Sequence, residues 1–230
     1  GHPLPAAAGT QGRTRSGLDT GGILMANIQA LRPYQQAARD SIHAQWEQGR
    51  LRTLLVLPTG TGKTIVFASV AADQVRAGDR VLILAHRGEL LEQAADKLQR
   101  STGLVSAVEK AESTCLNSWF RVVVGSVQTL QRPARLERFP RDYFGTIIID
   151  EAHHAITDGY RRILDYFEGA KVLGVTATPD RGDMRNLGEV FDSLAYEYKL
   201  TDAIKEGYLC KIMAQTIPLQ LDISGVALSG

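Results

Sequence analysis

The stretch "LLVLPTGTGKTIV", residues 54–66, constrains the fold of this chain more than any other part of the sequence. An apolar strand runs through a glycine-rich loop into a helix, which is the order found in phosphate-binding loops. The end of the loop matches the pattern G-x-x-x-x-G-K-[ST], although Leu57 stands in place of the first glycine. A glycine turn that merely starts a helix is the alternative, and the strand–loop–helix order favours phosphate binding.

The residues of this loop have the chemistry that binding a nucleoside triphosphate requires. Glycines allow backbone N–H groups to turn toward phosphate oxygens, and the helix that follows adds the positive end of its dipole. Lys63 can reach the β- and γ-phosphates, while the Thr64 hydroxyl can bind magnesium. The residues that we predict to bind nucleotide here are Thr59, Gly60, Thr61, Gly62, Lys63 and Thr64.

A second motif, "TIIIDEAHHA" at residues 146–155, places two carboxylates after an apolar strand. Asp150 can hold magnesium through water, and Glu151 can orient or deprotonate an attacking water. Both acids could instead simply terminate a strand at the surface. The presence of Lys63 earlier in the same predicted sheet favours a catalytic role for Lys63, Asp150 and Glu151.

From Leu31 onward, short apolar strands alternate with amphipathic helices. The predicted strands are 53–57, 81–85, 121–125, 146–150 and 171–175, and the predicted helices include one ending near Gly49, one over 63–77, one through Leu90–Leu98 and one through Tyr160–Phe167. Continuous apolar strands separated by such helices are typical of a parallel sheet covered on both faces. We therefore predict an α/β fold with a mostly parallel central sheet.

Composition excludes several classes of protein. The longest apolar run, residues 81–85, is too short to span a bilayer, so no membrane segment is expected. The net charge of +1 comes from residues 1–24, so bulk electrostatics does not predict a nucleic-acid partner. Cys115 and Cys210 lack metal-ligand spacing, which predicts reduced thiols in a cytoplasmic protein and no structural zinc.

Three motifs in order, "PTGTGKT", "DEAH" and "TATP" (176–179), resemble motifs I, II and III of the superfamily 2 helicases. The resemblance extends from about Leu31 to Leu209, and the phrases "DEAHHA", "GVTATPDRGD" and "AIKEGYL" are most similar to the DNA-directed branch related to type III restriction-enzyme helicase subunits. Motif I of this superfamily often starts without glycine, as at Leu57. The resemblance implies a RecA-like three-layer α-β-α domain that uses ATP and Mg²⁺.

The same resemblance assigns further site residues. "LRPYQ" resembles the adenine-recognition element, with Arg32 and Gln35, and the Gln35 carboxamide offers the donor and acceptor that an adenine edge pairs with. An exposed helical glutamine is the alternative for Gln35, and simple capping after a strand is the alternative for the threonines of "TATP". The residues that the resemblance assigns to nucleic-acid contact or to coupling are Arg87, Ser126, Thr129, His153, Thr176 and Thr178.

The motif order also predicts the organisation of the chain. We expect residues 1–24 to be a flexible leader or a remnant of cloning, 25–215 to form the ATP-binding domain, and 216–230 to begin a linker to a second RecA-like domain. The resemblance implies the first motor domain of an ATP-dependent DNA helicase or translocase, with DNA and a nuclease or restriction subunit as partners. An RNA helicase and a nucleotide-binding regulatory module are the alternatives. A small-molecule phosphotransferase would have no use for "DEAH" followed by "TATP".

Overall fold

The computed structural model describes residues 30–86, 95–96, 98–100, 103, 106–109 and 120–210. Strands and helices alternate along these ranges. The strands are β1 (Arg52–Val56), β2 (Val81–Ala85), β3 (Ser106–Glu109), β4 (Val122–Ser126), β5 (Thr146–Asp150), β6 (Lys171–Thr176) and β7 (Ser193–Glu197). The helices are α1 (Pro33–Glu47), α2 (Lys63–Arg76), α3 (Val127–Leu130), α4 (Pro133–Leu136), α5 (Asp158–Tyr166), α6 (Arg181–Leu187) and α7 (Leu200–Lys205), with a 3-10 helix at Ala152–Ile156.

The strands form one sheet in the order β3-β4-β2-β5-β6-β1-β7. Every pairing in it is parallel, so the predicted α/β fold with a parallel sheet is confirmed. Because the carboxyl ends of parallel strands meet at one edge, the loops that follow β1, β5 and β6 lie side by side. The three sequence motifs therefore lie together at this edge of the sheet.

The sheet separates two apolar cores. Since successive side chains of a strand point to opposite faces, Leu55 packs into the core beneath α1 and α2, whereas Leu54 packs into the core beneath α5. Phe139 and Phe167 fill much of that second core. Among the described residues, no helix has both the length and the apolar character that crossing a bilayer requires.

The predicted strands agree with the observed ones to within about one residue at each end, as expected for boundary assignments. Two observed strands, β3 and β7, were not predicted. The Leu98 end of the predicted 90–98 helix is partly described, but Leu90 and Leu91 lie outside the described residues. The leader, residues 1–24, and the linker, residues 216–230, lie outside them as well.

An ion-pair cluster fastens α1 to α2, the helix that begins at the glycine loop. Arg39 donates two hydrogen bonds to the Asp73 carboxylate, one of them from Nε at 2.7 Å, and His43 Nε2 lies 2.8 Å from Asp73 Oδ2. Burial alone would raise the pKa of Asp73, but the hydrogen bonds and charges of His43 and Arg39 outweigh it and hold the pKa below the ordinary value of 3.8. The ionised carboxylate is therefore stabilised in the folded state.

Substituting Asp73→Asn is expected to destabilise the fold by about 1–3 kcal/mol near neutral pH, because Arg39 and His43 lose the negative charge and one acceptor oxygen of a largely buried partner. A carboxyl whose folded pKa lies below its unfolded pKa contributes stability above the unfolded value, and this contribution is lost as the pH falls through the folded pKa. Urea unfolding at neutral and acidic pH measures the effect, and the difference between wild type and variant should shrink in acid. The matched control is Asp165→Asn, since Asp165 is 75% exposed and pairs with Arg52 only at 3.5 Å. Equal losses in the two variants would contradict the role of Asp73.

Candidate active site

The glycine-rich loop joins β1 to α2 with two left-handed residues. Gly60 has φ 86° and Gly62 has φ 79°, values that side chains other than glycine rarely adopt. A Cβ atom on Gly62 would lie 2.6 Å from the Gln35 Nε2 atom, so this position is also sterically restricted to glycine. Leu57, which replaces the first glycine of the pattern, is fully buried and donates its N–H to the Thr176 carbonyl at 3.0 Å. The backbone at Leu57 therefore continues the hydrogen bonding between β1 and β6 by one residue beyond Val56.

Two side chains of α1 form hydrogen bonds with the glycine-rich loop. The Tyr34 hydroxyl and the Gln35 Nε2 both donate to the Thr61 carbonyl, the latter at 3.1 Å. The Thr61 hydroxyl donates to the Pro58 carbonyl, and Thr61 is buried. Thr61 therefore shapes the loop through its own hydrogen bonds, whereas Thr59 and Gly60 are exposed at the surface of the loop.

Gln35 is only 2% exposed, so the alternative of an exposed helical glutamine is wrong. Its Oε1 accepts the backbone N–H of Arg32 at 2.9 Å and its Nε2 donates to Thr61, which places the carboxamide between the start of α1 and the loop. The Arg32 guanidinium lies over the Tyr208 ring, 4.8 Å from its centre. The adenine-recognition element predicted from "LRPYQ" thus packs directly against the phosphate-loop residues.

Lys63 connects the loop to the second motif. Its Nζ atom lies 2.6 Å from Glu151 Oε1 and 3.6 Å from Asp150 Oδ1, so one ammonium group contacts both carboxylates. Lys63 opens α2, and Thr64 follows it in the first turn, half-buried. The structure therefore brings the three predicted catalytic side chains together at the carboxyl edge of β1 and β5.

The backbone at Glu151 is unusual. Its φ of 52° is left-handed, and no other residue except glycine among those described has a positive φ. Its N–H donates to Asp150 Oδ1 at 2.9 Å. Left-handed backbone in a residue with a side chain costs roughly 1–3 kcal/mol and is concentrated at functional sites. The turn after β5 directs the Glu151 carboxylate toward Lys63.

His153 lies between the second and third motifs. Its Nδ1 is 3.6 Å from Glu151 Oε2 and 3.3 Å from the Thr176 hydroxyl at the end of β6. Thr178 follows and lines a cleft of about 330 Å³ together with Pro58 and Thr59 of the glycine loop. Two of the predicted coupling residues, His153 and Thr176, are therefore in contact. Thr178, two residues after Thr176, lies across the cleft from the glycine loop.

The remaining predicted nucleic-acid residues lie elsewhere. Ser126 ends β4 and Thr129 lies in α3, and their side chains are 4% and 8% exposed. Strand β4, which ends at Ser126 and leads into α3, is separated from β5 by β2, so neither residue joins the cluster around Lys63. Arg87 lies outside the described residues.

An aromatic cluster behind the glycine loop was not predicted. Tyr34 stacks on Tyr198 with ring centres 4.1 Å apart, and the Tyr198 hydroxyl donates to the Glu206 carboxylate. Burial, together with the hydrogen bond and charge of Glu206, raises the pKa of Tyr198, which keeps the phenol protonated. Tyr34 lies within the motif "LRPYQ", which assigned roles only to Arg32 and Gln35, and no motif includes Tyr198.

The donor set suits a magnesium–nucleoside triphosphate. Two glycines leave room for phosphate against the loop, Lys63 supplies a cation, and the Thr64 hydroxyl and Asp150 carboxylate are the hard oxygen ligands that magnesium prefers. No group of three or more His, Cys, Asp or Glu residues suited to a metal occurs among the described residues. A magnesium ion at this edge would therefore take its other ligands from phosphate and water, which is its usual behaviour.

Removing the Gln35 side chain is expected to weaken binding of both ATP and GTP, with ATP losing more. The contact with the Thr61 carbonyl supports the loop for either nucleotide, whereas a contact to the adenine edge would be specific to ATP. Calorimetric titration of Gln35→Ala with each nucleotide separates the two roles. Gln36→Ala is the neighbouring control, because Gln36 is exposed and its side chain donates to Asp40 on the same helix. Equal losses for ATP and GTP would remove adenine recognition from Gln35.

Comparison with known proteins places this geometry in a family. A family model described as "Type III restriction enzyme, res subunit" matches residues 28–181. The yeast protein named "Putative ATP-dependent helicase IRC3" (Saccharomyces cerevisiae) is 35% identical over 210 residues, which cover 85% of this chain and 30% of that protein. The protein named "DNA 3'-5' helicase XPB" from Kineococcus radiotolerans is 30% identical over 201 residues, covering 82% of this chain and 34% of its own length.

Solved structures agree with the sequence comparisons. The helicase domain of Pyrococcus furiosus Hef has a TM-score of 0.59 and 25% identity, over 74% of this chain and 38% of that one. The predicted superfamily 2 resemblance and RecA-like α/β fold are therefore confirmed. This chain spans about a third of the length of the relatives it matches. Because the family model covers most of its length, including the glycine loop and both carboxylates, the chain belongs to the family of type III restriction enzyme res subunits.

Proposed function

We propose that this chain is the ATP-binding motor domain of an ATP-dependent DNA helicase or translocase. The observation that carries the proposal is the position of Lys63 Nζ, within contact distance of both Asp150 and Glu151 at the end of the glycine loop. A lysine, a magnesium-holding carboxylate and a water-orienting carboxylate are the parts that phosphate-loop hydrolases share. DNA is the proposed substrate because the matching family is that of a restriction-enzyme subunit and a relative that is 30% identical is named a DNA helicase, whereas another relative, 31% identical, is named an RNA helicase.

Nucleotide binding would change the partners of Lys63. In this structure its ammonium group is shared between Glu151 and Asp150. On binding, Lys63 exchanges the Glu151 contact for phosphate oxygens, because a triphosphate carries more negative charge than one carboxylate. Glu151 would then be free to orient water and accept its proton, while Asp150 and Thr64 would hold the metal. The bound magnesium–ATP supplies the phosphoanhydride bond whose hydrolysis drives the motor.

The contacts of His153 support a route from hydrolysis to nucleic acid. A change in the charge or position of Glu151 acts on His153, whose Nδ1 is 3.6 Å away. His153 in turn contacts the Thr176 hydroxyl, and the segment after β6 continues to Thr178 beside the glycine loop. We propose that these three residues couple the nucleotide site to movements of the loop after β6.

The short span of this chain relative to its relatives supports a divided active site. We propose that residues 25–215 form the ATP-binding domain and that 216–230 begin the linker to a second RecA-like domain, which contributes an arginine to the γ-phosphate. A nuclease or restriction subunit is the proposed partner of the whole protein, given the family. The chain alone should therefore bind magnesium–ATP but hydrolyse it slowly.

Steady-state ATPase assays test this proposal, with and without DNA, on this chain and on a version extended by its native downstream sequence. The extended protein should be stimulated by DNA to a rate about a thousandfold or more above that of this chain, because the arginine stabilises the departing phosphate. If this chain alone reached that rate, the divided site would be wrong. Stimulation by RNA and not DNA would indicate an RNA helicase, and binding with no turnover in either version would indicate a regulatory module.

A further inference from the structure

The Thr61 carbonyl, in the middle of the glycine loop, accepts hydrogen bonds from outside the loop. The Tyr34 hydroxyl and the Gln35 Nε2 atom both donate to it, and these two residues are 4% and 2% exposed. The N–H of Thr61 donates to the Pro58 carbonyl at 3.2 Å, inside the loop. The direction of the Thr61 carbonyl is therefore set by side chains of α1.

The direction of this carbonyl determines where the next amide points. The Thr61 carbonyl and the Gly62 N–H belong to one planar trans peptide, so they point in opposite directions. Because the carbonyl is held toward α1, the Gly62 N–H points away from α1. Gly62 is the N-cap residue of α2, and amides at such a position are the donors that phosphate-binding loops offer to an anion. A flipped peptide would instead turn a carbonyl oxygen toward the phosphates.

Two other tyrosines hold the ring of Tyr34. Tyr198 stacks on it with ring centres 4.1 Å apart and ring planes 5° apart, and Tyr208 meets its edge with ring centres 5.0 Å apart. Stacked and edge-on contacts of this kind favour one ring geometry over others. Because the hydroxyl lies in the plane of a rigid ring, a fixed ring also fixes the Tyr34 hydroxyl on its acceptor.

Tyr198 is itself anchored at both ends. Its N–H donates to the Val56 carbonyl at 2.9 Å, which ties it to the last residue of β1. Its hydroxyl donates to the Glu206 carboxylate just after α7. Tyr198 is 3% exposed, so the stacked ring has little room to move. The contacts thus lead from β7 and α7, through Tyr34, to one peptide of the glycine loop.

We infer that Tyr34 and Tyr198 are positioning residues for the triphosphate of the nucleotide. The Tyr34 hydroxyl holds the Thr61 carbonyl and so directs the Gly62 N–H toward a phosphate oxygen. Tyr198, which lies between β7 and α7, holds the Tyr34 ring in place. The inference rests on the proposed function and gives Tyr34 a task separate from adenine recognition, because the peptide that it orients serves any nucleoside triphosphate.

Calorimetric titration of the whole chain with magnesium–ATP and with magnesium–GTP tests this inference. Tyr34→Phe removes only the hydroxyl and should weaken both nucleotides by the same factor, about three- to tenfold, as for one lost hydrogen bond. Gln35 still donates to Thr61, so binding is weakened and not abolished. A loss confined to ATP would overturn the inference, because it would place Tyr34 at the base.

Tyr198→Leu removes the stacked ring and should weaken both nucleotides by a factor similar to that of Tyr34→Phe. The double variant should lose no more than about twofold beyond either single variant, because both substitutions act through one contact. Tyr198→Phe keeps the ring and should lose only about two- to threefold. Losses that multiply in the double variant, or no loss in either Tyr198 variant, would overturn the role of Tyr198.

Tyr166→Phe is the matched control. The Tyr166 hydroxyl donates to the Phe139 carbonyl in the core beneath α5, so the variant loses the same kind of hydrogen bond away from the glycine loop. Affinity for both nucleotides should stay within about twofold of the wild type. Losses as large as in Tyr34→Phe would overturn the inference. A wild type that bound neither nucleotide would contradict the proposed function itself, whereas normal binding by Tyr34→Phe would overturn only the positioning role.

Discussion

Lys63→Ala is expected to reduce magnesium–ATP binding below detection in this chain. Among the residues that the structure describes, the Lys63 ammonium is the one cation that contacts both carboxylates of the second motif, and in the bound state it would contact phosphate oxygens. Hydrogen bonds to charged groups contribute roughly 1.5–3 kcal/mol each, so losing two of them weakens binding by about a hundredfold or more. Isothermal titration calorimetry at constant magnesium measures the change.

Lys171→Ala is the matched control for this substitution. Lys171 begins β6 at the opposite edge of the sheet and lies near the Trp46 ring, 5.9 Å from its centre. Lys171 is half-buried, and its removal deletes the same charge far from the glycine loop. ATP affinity should stay within about twofold, since charges farther apart than the Debye length of roughly 8–10 Å are screened. Comparable loss in both variants would mean that general charge, and not the position of Lys63, governs nucleotide affinity.

Glu151→Gln is expected to leave magnesium–ATP binding nearly intact and to lower hydrolysis by about a hundredfold to ten-thousandfold, the usual contribution of a general base. The carboxamide has the same shape but cannot accept a proton from water. Glutamine can also adopt the same left-handed turn at this position at a similar cost, so the fold should not change. DNA-stimulated turnover of the extended protein is the measurement, with nucleotide affinity determined in parallel.

Glu189→Gln controls for the loss of a carboxylate as such. Glu189 is 62% exposed and pairs with Arg161 at 2.7 Å, away from Lys63. Turnover in this variant should match the wild type, because exposed ion pairs contribute little. A Glu151→Gln protein that hydrolysed ATP at more than about a tenth of the wild-type rate would show that another group acts as the base.

The buried strands could be predicted from sequence because they lie in the middle of the sheet. A central parallel strand such as β2 or β5 is covered on both faces and reads as a continuous apolar run. The edge strand β7 is half-exposed and mixes Ser193 and Glu197 with apolar residues, so its composition resembles that of a loop. Strand β3 occupies the other edge, and its four residues "SAVE" form no apolar run either.

The sequence predicted those residues of the candidate site that belong to recognisable motifs. The motifs identified Lys63, Asp150 and Glu151, and the adjacency of β5 and β6 explains why His153 meets Thr176. The burial of Gln35 depends on the loop that packs over it, and no pattern within α1 specifies that packing.

The position of β1 in the sheet has a consequence for synthesis on the ribosome. The strand that leads into the glycine loop lies between β6 and β7, and residues 52 and 172 are register partners. An emerging chain therefore exposes a central apolar strand, with neither neighbour available, until residue 176 and then residue 197 have been translated and released from the exit tunnel. Contacts between such distant segments form slowly and leave nascent intermediates prone to aggregation. We therefore expect the yield of folded protein to depend on whether a chaperone binds Leu54–Leu57 during translation.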